Sequence, residues 1–375
     1  MGISIERPPI DASASDIAHL AVELIGVIDV SEGQAEWAPD VGDDDLLALL
    51  ANMHLTREFE QRMQASQRQG KTSFSVSSKG EEAIGTCTAF VMGENDMAFP
   101  TYRQASYLLQ RGRPVIDLIN QIYGNSGDEL SGTRLPTMHT SREHGFFTVS
   151  GSLGTQLPQA VGWAMENQRS NKGTATIGFI GDGSTATGDF HAAMTFASAF
   201  RPPVIFAIVN NQYAISTPES VARGMAETLA QRGVGYGIPT LRVDGNDALA
   251  VIGATQWCRQ RVIAGHGPAA VEFVTYRHSA HSTSDDPTRY RDASEATQGD
   301  PIERLEAHLR STGVDSKVLE QVAEKAKVTV EEANAEAEAL GTLATHGVPS
   351  IAVAFDHVFE DMPPNLIKQR KEAGY

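Results

Sequence analysis

Short apolar runs alternate with longer, helically periodic stretches along most of the chain. The apolar runs predict buried strands at 177–180, 204–209, 241–243 and 269–275. The longer stretches predict helices at 43–69, 157–167, 189–199 and 248–264. Strands that alternate with helices are typical of a mostly parallel sheet flanked by helices on both faces. We therefore predict an α/β fold.

The two ends of the chain follow different patterns. Residues 1–42 contain Pro8-Pro9 and show no sustained helical or strand period, which predicts an N-terminal arm. Residues 301–311 and 317–340 predict amphipathic helices after the last strand. We expect an arm over 1–42 and a single α/β domain over 43–375 that ends in a helical extension.

Composition excludes several classes of protein. The 375 residues carry 47 acidic and 30 basic side chains, a net charge of -17, which argues against binding to nucleic acid or anionic membranes. The two cysteines, Cys87 and Cys258, provide no disulfide framework. No apolar run approaches the roughly 18 residues of a membrane span, and the N-terminus has no signal-peptide pattern. We expect a cytoplasmic protein.

Polar motifs follow two of the predicted strands. Gly181-Asp182-Gly183 comes directly after 177–180, and Asn210-Asn211 comes after 204–209. Ligands of open α/β sheets bind at the carboxyl ends of the strands, and glycine lets the backbone approach a ligand closely. Carboxylate and amide oxygens suit Mg²⁺ or Ca²⁺. The sequence therefore predicts a ligand and cation site at this edge.

These motifs resemble the signature of enzymes that depend on thiamine diphosphate (ThDP). GDG, 26 residues and then NN match that signature, and the flanks GDFHAAMTFA and NNQYAIST resemble the α subunit of 2-oxo acid dehydrogenase E1 components. The resemblance covers about 43–370 and implies a ThDP-binding fold. HSTSDDP at 281–287 resembles the branched-chain version, whereas the pyruvate version reads closer to HSMSDP. The implied activity is decarboxylation of branched-chain 2-oxo acids and acylation of the lipoyl group of the E2 acyltransferase.

The resemblance assigns binding residues to each part of the cofactor. For Mg²⁺ it implies Asp182, Asn211 and the carbonyl of Tyr213. For the diphosphate it implies Tyr102, Arg103, Gly181, Gly183 and Ser184. For the aminopyrimidine it implies Gly151 and Leu153, and for a structural K⁺ it implies Ser150, Thr155 and Gln156.

Further residues are candidates for substrate chemistry and regulation. His281 matches the histidine beside the cofactor and is our candidate for orienting substrate and moving a proton, with His139 as a second candidate. Phe74 and Tyr102 are expected to form walls of the substrate pocket. Ser282 matches the serine that regulated relatives phosphorylate, although we expect an ordinary serine here. The family often has a second histidine just before His281, where this chain has Ala280.

The resemblance also implies partners. ThDP activation requires a carboxylate that the β subunit supplies in this family, and no matching segment occurs in this chain. We therefore expect activity only in an α2β2 assembly with a β subunit, acting on a lipoyl-bearing E2.

Three alternatives remain at this stage. Pyruvate or acetoin could replace the branched-chain substrate with the same mechanism. A dinucleotide-dependent oxidoreductase would need G-x-G-x-x-G after a strand, whereas residues 178–183 give G-x-x-G-x-G. A non-catalytic scaffold would be expected to lose Arg103, Asp182 or Asn211, and this chain keeps all three.

Overall fold

A five-stranded, all-parallel sheet forms the centre of the protein, as seen in a computed structural model. The structure describes residues 5–28, 36–295, 299–345, 350–356 and 358–375. The strand order is β1-β2-β3-β7-β6, and a separate antiparallel pair joins β4 to β5. The strands are β1 (Met97–Phe99), β2 (Thr176–Gly181), β3 (Val204–Asn210), β4 (Tyr213–Ala214), β5 (Thr217–Pro218), β6 (Thr240–Asp244) and β7 (Ala269–Val274). The predicted α/β fold is confirmed.

Helices connect the strands and extend the chain beyond the sheet. In the described ranges they are α1 (Asp43–Arg68), α2 (Glu82–Val91), α3 (Ala105–Gln110), α4 (Val115–Tyr123), α5 (Gln156–Arg169), α6 (Gly188–Phe200), α7 (Glu219–Arg223), α8 (Gln231–Gly235), α9 (Ala248–Ile263), α10 (Pro301–Thr312), α11 (Ser316–Leu340) and α12 (Pro364–Glu372). None of them is long and apolar enough to cross a membrane.

Side chains alternate between two apolar layers along the central strands. Ile205 and Ala207 of β3 belong to the layer that contains residues of α1, α2 and α9. Phe206 and Ile208 belong to the opposite layer, which contains residues of α5 and α6. This period of two is what a strand buried on both faces requires. The sheet is therefore covered by helices on both sides, as the sequence predicted.

Local signals set the ends of the helices near the sheet edge. Thr187 caps α6 by accepting a hydrogen bond from Phe190 N at 3.4 Å. Arg201, in the left-handed region with φ 52°, ends α6 just before Pro202-Pro203. Asp247 caps α9 by accepting from Ala250 N at 3.0 Å. Thr187 and Asp247 follow the carboxyl ends of β2 and β6, whereas Arg201 precedes the start of β3 and so lies at the opposite edge of the parallel sheet.

The described part of the N-terminal arm packs on the α/β body. Ile25 pairs with Val243 of β6 in a parallel bridge. Asp247 Oδ2 accepts hydrogen bonds from the N–H groups of Val27 and Ile28, both at 2.6 Å. Residues 1–4 and 29–35 of the predicted arm lie outside the described residues. The division into arm and domain stays a prediction.

The C-terminal extension packs against the first helix. Residues of α10 and α11 join the same apolar layer as α1. Tyr123 Oη donates to Asn334 Oδ1 at 2.6 Å and lies 2.8 Å from Ser66 Oγ, which links α4 to both α1 and α11. The extension therefore packs on the helical layer that contains α1.

Candidate active site

A cavity of about 530 Å³ opens at the carboxyl ends of β2 and β3. Most of the residues that the sequence analysis proposed line it: Tyr102, Arg103, Ser150, Gly151, Leu153, Gln156, Gly181, Asp182, Gly183, Ser184, Asn211, Tyr213 and His281. A larger cavity of about 680 Å³ lies between α4 and residues 340–343 and contains neither the GDG nor the NN motif. Chemistry therefore favours the smaller cavity as the candidate site.

Asp182 has one buried oxygen that nothing in the described chain satisfies. The residue follows β2 directly, and its Oδ1 accepts from Gly183 N at 2.6 Å. Its Oδ2 is buried and has no hydrogen-bond partner among the described residues. Burial raises the pKa of Asp182 to about 7, and the charge of Glu81 adds to this rise. A buried carboxylate oxygen without a donor is a fitting ligand for a cation.

The loop after β3 presents an amide and a carbonyl to the same cavity. Asn211 Nδ2 donates to Glu81 Oε1 at 2.6 Å, and Asn211 Oδ1 lies 3.3 Å from Tyr213 N. The Tyr213 carbonyl accepts a hydrogen bond from Arg277 Nη1 at 2.7 Å. A carbonyl oxygen has two lone pairs, so the second one is available to a cation. Gln212 and Ile215 have φ values of 75° and 57°, so the loop holds a conformation that non-glycine residues rarely adopt.

The described residues contain no group of three or more His, Cys, Asp and Glu side chains placed to bind a metal. A divalent ion in this cavity would therefore combine the Asp182 carboxylate with neutral oxygens from the loop after β3. Such a mixed set of oxygens suits Mg²⁺ better than a transition metal.

Two glycines of the GDG turn have different surroundings. A Cβ on Gly183 would lie 2.3 Å from the Cβ of Ala214, so the turn packs directly on the loop after β3. A Cβ on Gly181 would meet nothing within 4 Å, and Gly181 lines the cavity. Gly183 is required by packing, whereas Gly181 leaves space that a ligand can fill.

Arg103 and His281, which both line the cavity, are joined by hydrogen bonds. Arg103 Nη2 donates to the His281 carbonyl at 2.6 Å and lies 3.0 Å from His281 Nδ1, while Nη1 donates to the Ser77 carbonyl. Because a guanidinium only donates, Nδ1 is the acceptor and the imidazole proton is on Nε2. Burial, together with the charges of Arg103 and Arg277, lowers the pKa of His281 to about 4. His281 is neutral at pH 7.

A buried arginine joins the loop after β3 to the loop that carries His281. Arg277 is fully buried and donates to the carbonyls of Tyr213 and Ile215 at 2.7 and 2.8 Å. It also donates to Tyr290 Oη at 2.9 Å. Tyr290 Oη and His281 N both donate to Asp285 Oδ2, at 2.6 and 2.7 Å. The two loops therefore form one hydrogen-bonded unit around the cavity.

Ser282, the candidate phosphorylation site, follows His281 in this unit. Only 8% of the residue is exposed, and Ser282 Oγ accepts from Ser284 N at 3.3 Å. Its modification stays a prediction.

The candidate ligands of a monovalent cation lie together at the start of α5. Thr155 Oγ1 is 3.0 Å from Ser150 Oγ and 2.7 Å from the Ser152 carbonyl. Gln156 Nε2 donates to the Phe179 carbonyl at 2.7 Å, which ties this turn to β2. The arrangement brings the three candidates close to one another, and the K⁺ site stays a prediction.

Like Thr155 and Ser282, the candidates His139 and Phe74 lie outside the cavity lining. His139 is buried and lies with Nδ1 3.0 Å from Gln121 Oε1, and burial lowers its pKa to about 4. Phe74 is half-buried in the segment between α1 and α2. The residues that line the cavity do not include either side chain. Their proposed roles stay predictions.

Comparison with known proteins gives one family for this chain. Residues 51–345 match the family described as Dehydrogenase E1 component. The chain is 44% identical over 376 residues to the 2-oxoisovalerate dehydrogenase subunit alpha of Pseudomonas aeruginosa, and the match covers 99% of this chain and 92% of that relative. The mitochondrial subunit of the same name from Bos taurus is 37% identical over 338 residues, which cover 89% of this chain and 73% of the relative.

The chain belongs to the dehydrogenase E1 component family.

This finding confirms the resemblance that the GDG and NN motifs indicated. Members of the dehydrogenase E1 component family depend on ThDP. The cavity fits that cofactor by its own chemistry, because Asp182 Oδ2 needs a cation, Gly181 leaves free space and Arg103 supplies a buried positive charge. Together these features suit a diphosphate held through a divalent ion.

Sequence reasoning assigned no role to several polar residues of the cavity wall, among them Glu81, Gln104 and Arg277. Gln104 Oε1 accepts from Thr101 N at 2.8 Å and so shapes the turn before α3. Glu81 lies just before α2, and Arg277 follows β7 by three residues. The signal that could have found them is a charged residue within a strongly apolar stretch or at the end of a buried strand.

Proposed function

We propose that this chain is the α subunit of a branched-chain 2-oxo acid dehydrogenase E1. One observation supports the site above all: the buried Asp182 Oδ2, which has no partner among the residues that the structure describes, lies in a cavity with Asn211 and Arg103. The substrate class is supported by the relatives named 2-oxoisovalerate dehydrogenase subunit alpha and by HSTSDDP at 281–287. The products would be CO₂ and an acyl group carried on the lipoyl arm of E2.

The cavity residues would divide the cofactor between them. Mg²⁺ would bind Asp182 Oδ2, Asn211 Oδ1 and the Tyr213 carbonyl, while Arg103 and Tyr102 bind the diphosphate beside Gly181, Gly183 and Ser184. Gly151 and Leu153 would contact the aminopyrimidine. The structural K⁺ would be held by Ser150, Thr155 and Gln156. When bound, ThDP supplies the nucleophilic carbon and the electron sink for decarboxylation.

His281 has the properties needed to orient a 2-oxo acid. It is neutral at pH 7 and carries its proton on Nε2, because Arg103 occupies Nδ1. A neutral N–H donor can hydrogen-bond to the ketone oxygen of the substrate and orient it, whereas proton transfer to that oxygen would require the imidazolium, which a pKa of about 4 makes scarce at pH 7. Arg103 fixes the ring by holding both Nδ1 and the backbone carbonyl. The Tyr102 ring packs edge-on against the His281 ring, with 5.9 Å between the ring centroids.

The mouth of the cavity fits a site that a second subunit completes. Leu153, Ile215 and Val221 line the cavity and are exposed. Exposed apolar side chains around a polar site are typical of an interaction surface. We assign this rim to the β subunit of an α2β2 assembly, which would also supply the carboxylate that this chain lacks. The lipoyl arm of E2 would reach the same mouth.

The remaining assignments belong to the same proposal. Phe74 would contact the substrate side chain, and His139 would support the loop around the site. Ser282 would occupy the position of the serine that regulated relatives phosphorylate. The free, buried cysteines Cys87 and Cys258 fit the reducing cytoplasm.

Activity of the co-produced α and β subunits tests this proposal. We expect decarboxylation of 3-methyl-2-oxobutanoate that requires both ThDP and Mg²⁺, measured with an artificial electron acceptor. The kcat/KM should exceed that for pyruvate by about tenfold or more, because an apolar pocket distinguishes substrates that differ by one or two methyl groups to this extent.

The chain produced alone is the control and should be inactive. A preference for pyruvate would keep the mechanism and overturn the branched-chain assignment. Absence of any ThDP-dependent turnover by the pair would contradict the proposed function.

A further inference from the structure

Glu81 is a buried carboxylate in the cavity wall, at the N-terminal end of α2. The residue is 3% exposed, and its Oε1 lies 2.6 Å from Asn211 Nδ2 and 4.0 Å from Arg103 Nε. Both groups that face this oxygen are donors, so Glu81 acts here as an acceptor. Its side chain therefore connects a residue of the ion site to the residue proposed for the diphosphate.

The contact with Glu81 determines which way the Asn211 amide faces. A carboxylate accepts hydrogen bonds, so the amide must turn its NH₂ group toward Glu81 and its Oδ1 away from it. In this orientation Oδ1 lies 3.3 Å from Tyr213 N. The reversed amide would place two acceptors 2.6 Å apart and leave the buried Glu81 oxygen without its donor.

The neighbouring asparagine makes the same kind of contact with a buried carboxylate outside the cavity. Asn210 Nδ2 donates to Glu272 Oε1 at 2.7 Å, and Asn210 Oδ1 lies 3.2 Å from Gln212 N. Each amide of the NN motif thus has its own buried carboxylate. Glu81 lines the cavity and Glu272 does not. Glu272 supports the backbone of the turn, whereas Glu81 orients the side chain that faces the ligand.

Glu81 also provides a negative charge for a buried cation. The Nη atoms of Arg103 are directed to Ser77 and His281, while Nε faces Glu81. A buried guanidinium without a nearby carboxylate is strongly destabilised. Glu81 therefore limits the positions that the Arg103 side chain can take.

We propose that Glu81 is a positioning residue that directs the Asn211 oxygen toward the divalent ion and holds Arg103 for the diphosphate. The inference rests on the proposed function, and it gives Glu81 no contact with the reacting atoms. The carboxylate acts through the two residues that it orients.

Titration of Mg²⁺ into the α2β2 assembly at a fixed ThDP concentration tests this role by calorimetry. Glu81→Leu should raise the apparent Kd for Mg²⁺ about 10- to 100-fold, which is typical when the partner of a metal ligand is removed. Glu81→Gln keeps an acceptor at the same place and should stay within about fivefold of the wild type. The matched control is Glu82→Gln, because Glu82 is the next residue and equally buried but pairs with Arg57 at 2.7 Å. It should leave the Mg²⁺ dependence unchanged.

A second variant keeps the test decisive if Glu81→Leu does not assemble. Glu81→Asp retains the charge but is shorter by one methylene, so it should lose the contact with Asn211 and weaken Mg²⁺ binding roughly tenfold.

The possible outcomes separate the inference from the proposed function. If the wild type binds no ThDP with Mg²⁺, the proposed function fails and this inference fails with it. If the wild type binds and an assembled Glu81→Leu or Glu81→Asp variant shows the same Mg²⁺ dependence, only the inference is overturned. Equal losses of thermal stability in the Glu81 and Glu82 variants, without a change in the Kd for Mg²⁺, would show a structural role and also overturn it.

Discussion

At the residue scale, Asp182 Oδ2 differs from buried charged groups such as those of Arg277 and Glu272. Arg277 and Glu272 are each paired by several hydrogen bonds within the chain. Asp182 Oδ2 is buried and has no partner among the described residues. An unsatisfied buried carboxylate oxygen is destabilising in isolation, so the chain keeps it at a net loss of stability unless a ligand binds. A role in ligand binding therefore accounts for the burial of Asp182, whereas hydrogen bonds within the chain account for the burial of Arg277 and Glu272.

Glu60 provides a test of how burial affects a carboxylate outside the site. It accepts from Ser78 N and Oγ at 2.6 and 2.7 Å, yet burial raises its pKa from 4.5 to about 8. The folded protein therefore keeps this proton up to about pH 8, whereas the unfolded chain releases it near pH 4.5. The stabilisation that this gives is complete below pH 4.5 and is lost as the pH rises through about 8.

We predict that the urea midpoint of the wild type falls between about pH 5 and about pH 8, and that Glu60→Gln removes part of this fall. One proton accounts for at most about 1.4 kcal/mol per pH unit in the free energy of unfolding. Gln can accept from Ser78 N and donate to Ser78 Oγ, so the variant mimics the protonated carboxyl without titrating. The same pH dependence in the wild type and in Glu60→Gln would show that Glu60 is ionised in the folded protein.

The sequence predicted the individual ligand residues better than their contacts. Asp182 and Asn211 could be found because each directly follows an apolar run at a strand end. The roles of Glu81 and Arg277 could not be found, because their partners lie 130 and 64 residues away along the chain. Contacts at such separations depend on the order of strands in the sheet, which local patterns do not contain.

At the element scale, long periodic helices and fully buried strands were predictable, and short elements were not. The predicted helices at 43–69 and 248–264 agree with α1 and α9 to within one residue at each end. The strand β1 has three residues, and the helices α3, α7 and α8 have five or six, which is too few to show a period. These short elements surround the cavity or the sheet edge, so the site could be located from sequence while its walls could not.

Packing of the arm on α9 gives a prediction at this scale. A Cβ on Gly253 would lie 2.0 Å from the carbonyl oxygen of Trp37, whose side chain is fully buried. We expect Gly253→Ala to displace this part of the arm and to destabilise the fold by about 1–3 kcal/mol through overpacking. Limited proteolysis and thermal denaturation would measure both effects.

Gly162→Ala is the matched control, because Gly162 is also inside a helix but a Cβ there would meet nothing within 4 Å. It should be neutral or stabilising by up to about 1 kcal/mol. Equal stability and equal protease resistance of Gly253→Ala and the wild type would mean that the arm does not depend on this contact.

At the scale of the whole molecule, the protein is a complete α/β body with an incomplete active site. Its core is continuous from the arm through the sheet to α11. The cavity, by contrast, is open at a rim where Leu153, Ile215 and Val221 are exposed. A chain that folds around its own core but leaves one apolar edge of its site uncovered fits the role of one subunit in a shared site. The net charge of -17 influences which partners can associate with the protein, and it does not change this conclusion about the shared site.

The most direct test of the account is calorimetric titration of ThDP into the α2β2 assembly with and without Mg²⁺, for the wild type and Asp182→Asn. Asp45→Asn removes the same charge from an exposed position on α1 and serves as the control. We predict Mg²⁺-dependent binding by the wild type and by Asp45→Asn, and a loss of roughly 100-fold or more in Asp182→Asn, because a charged ligand is replaced by a neutral one in a buried site. Equal ThDP affinity of Asp182→Asn and the wild type would contradict the assignment of this cavity.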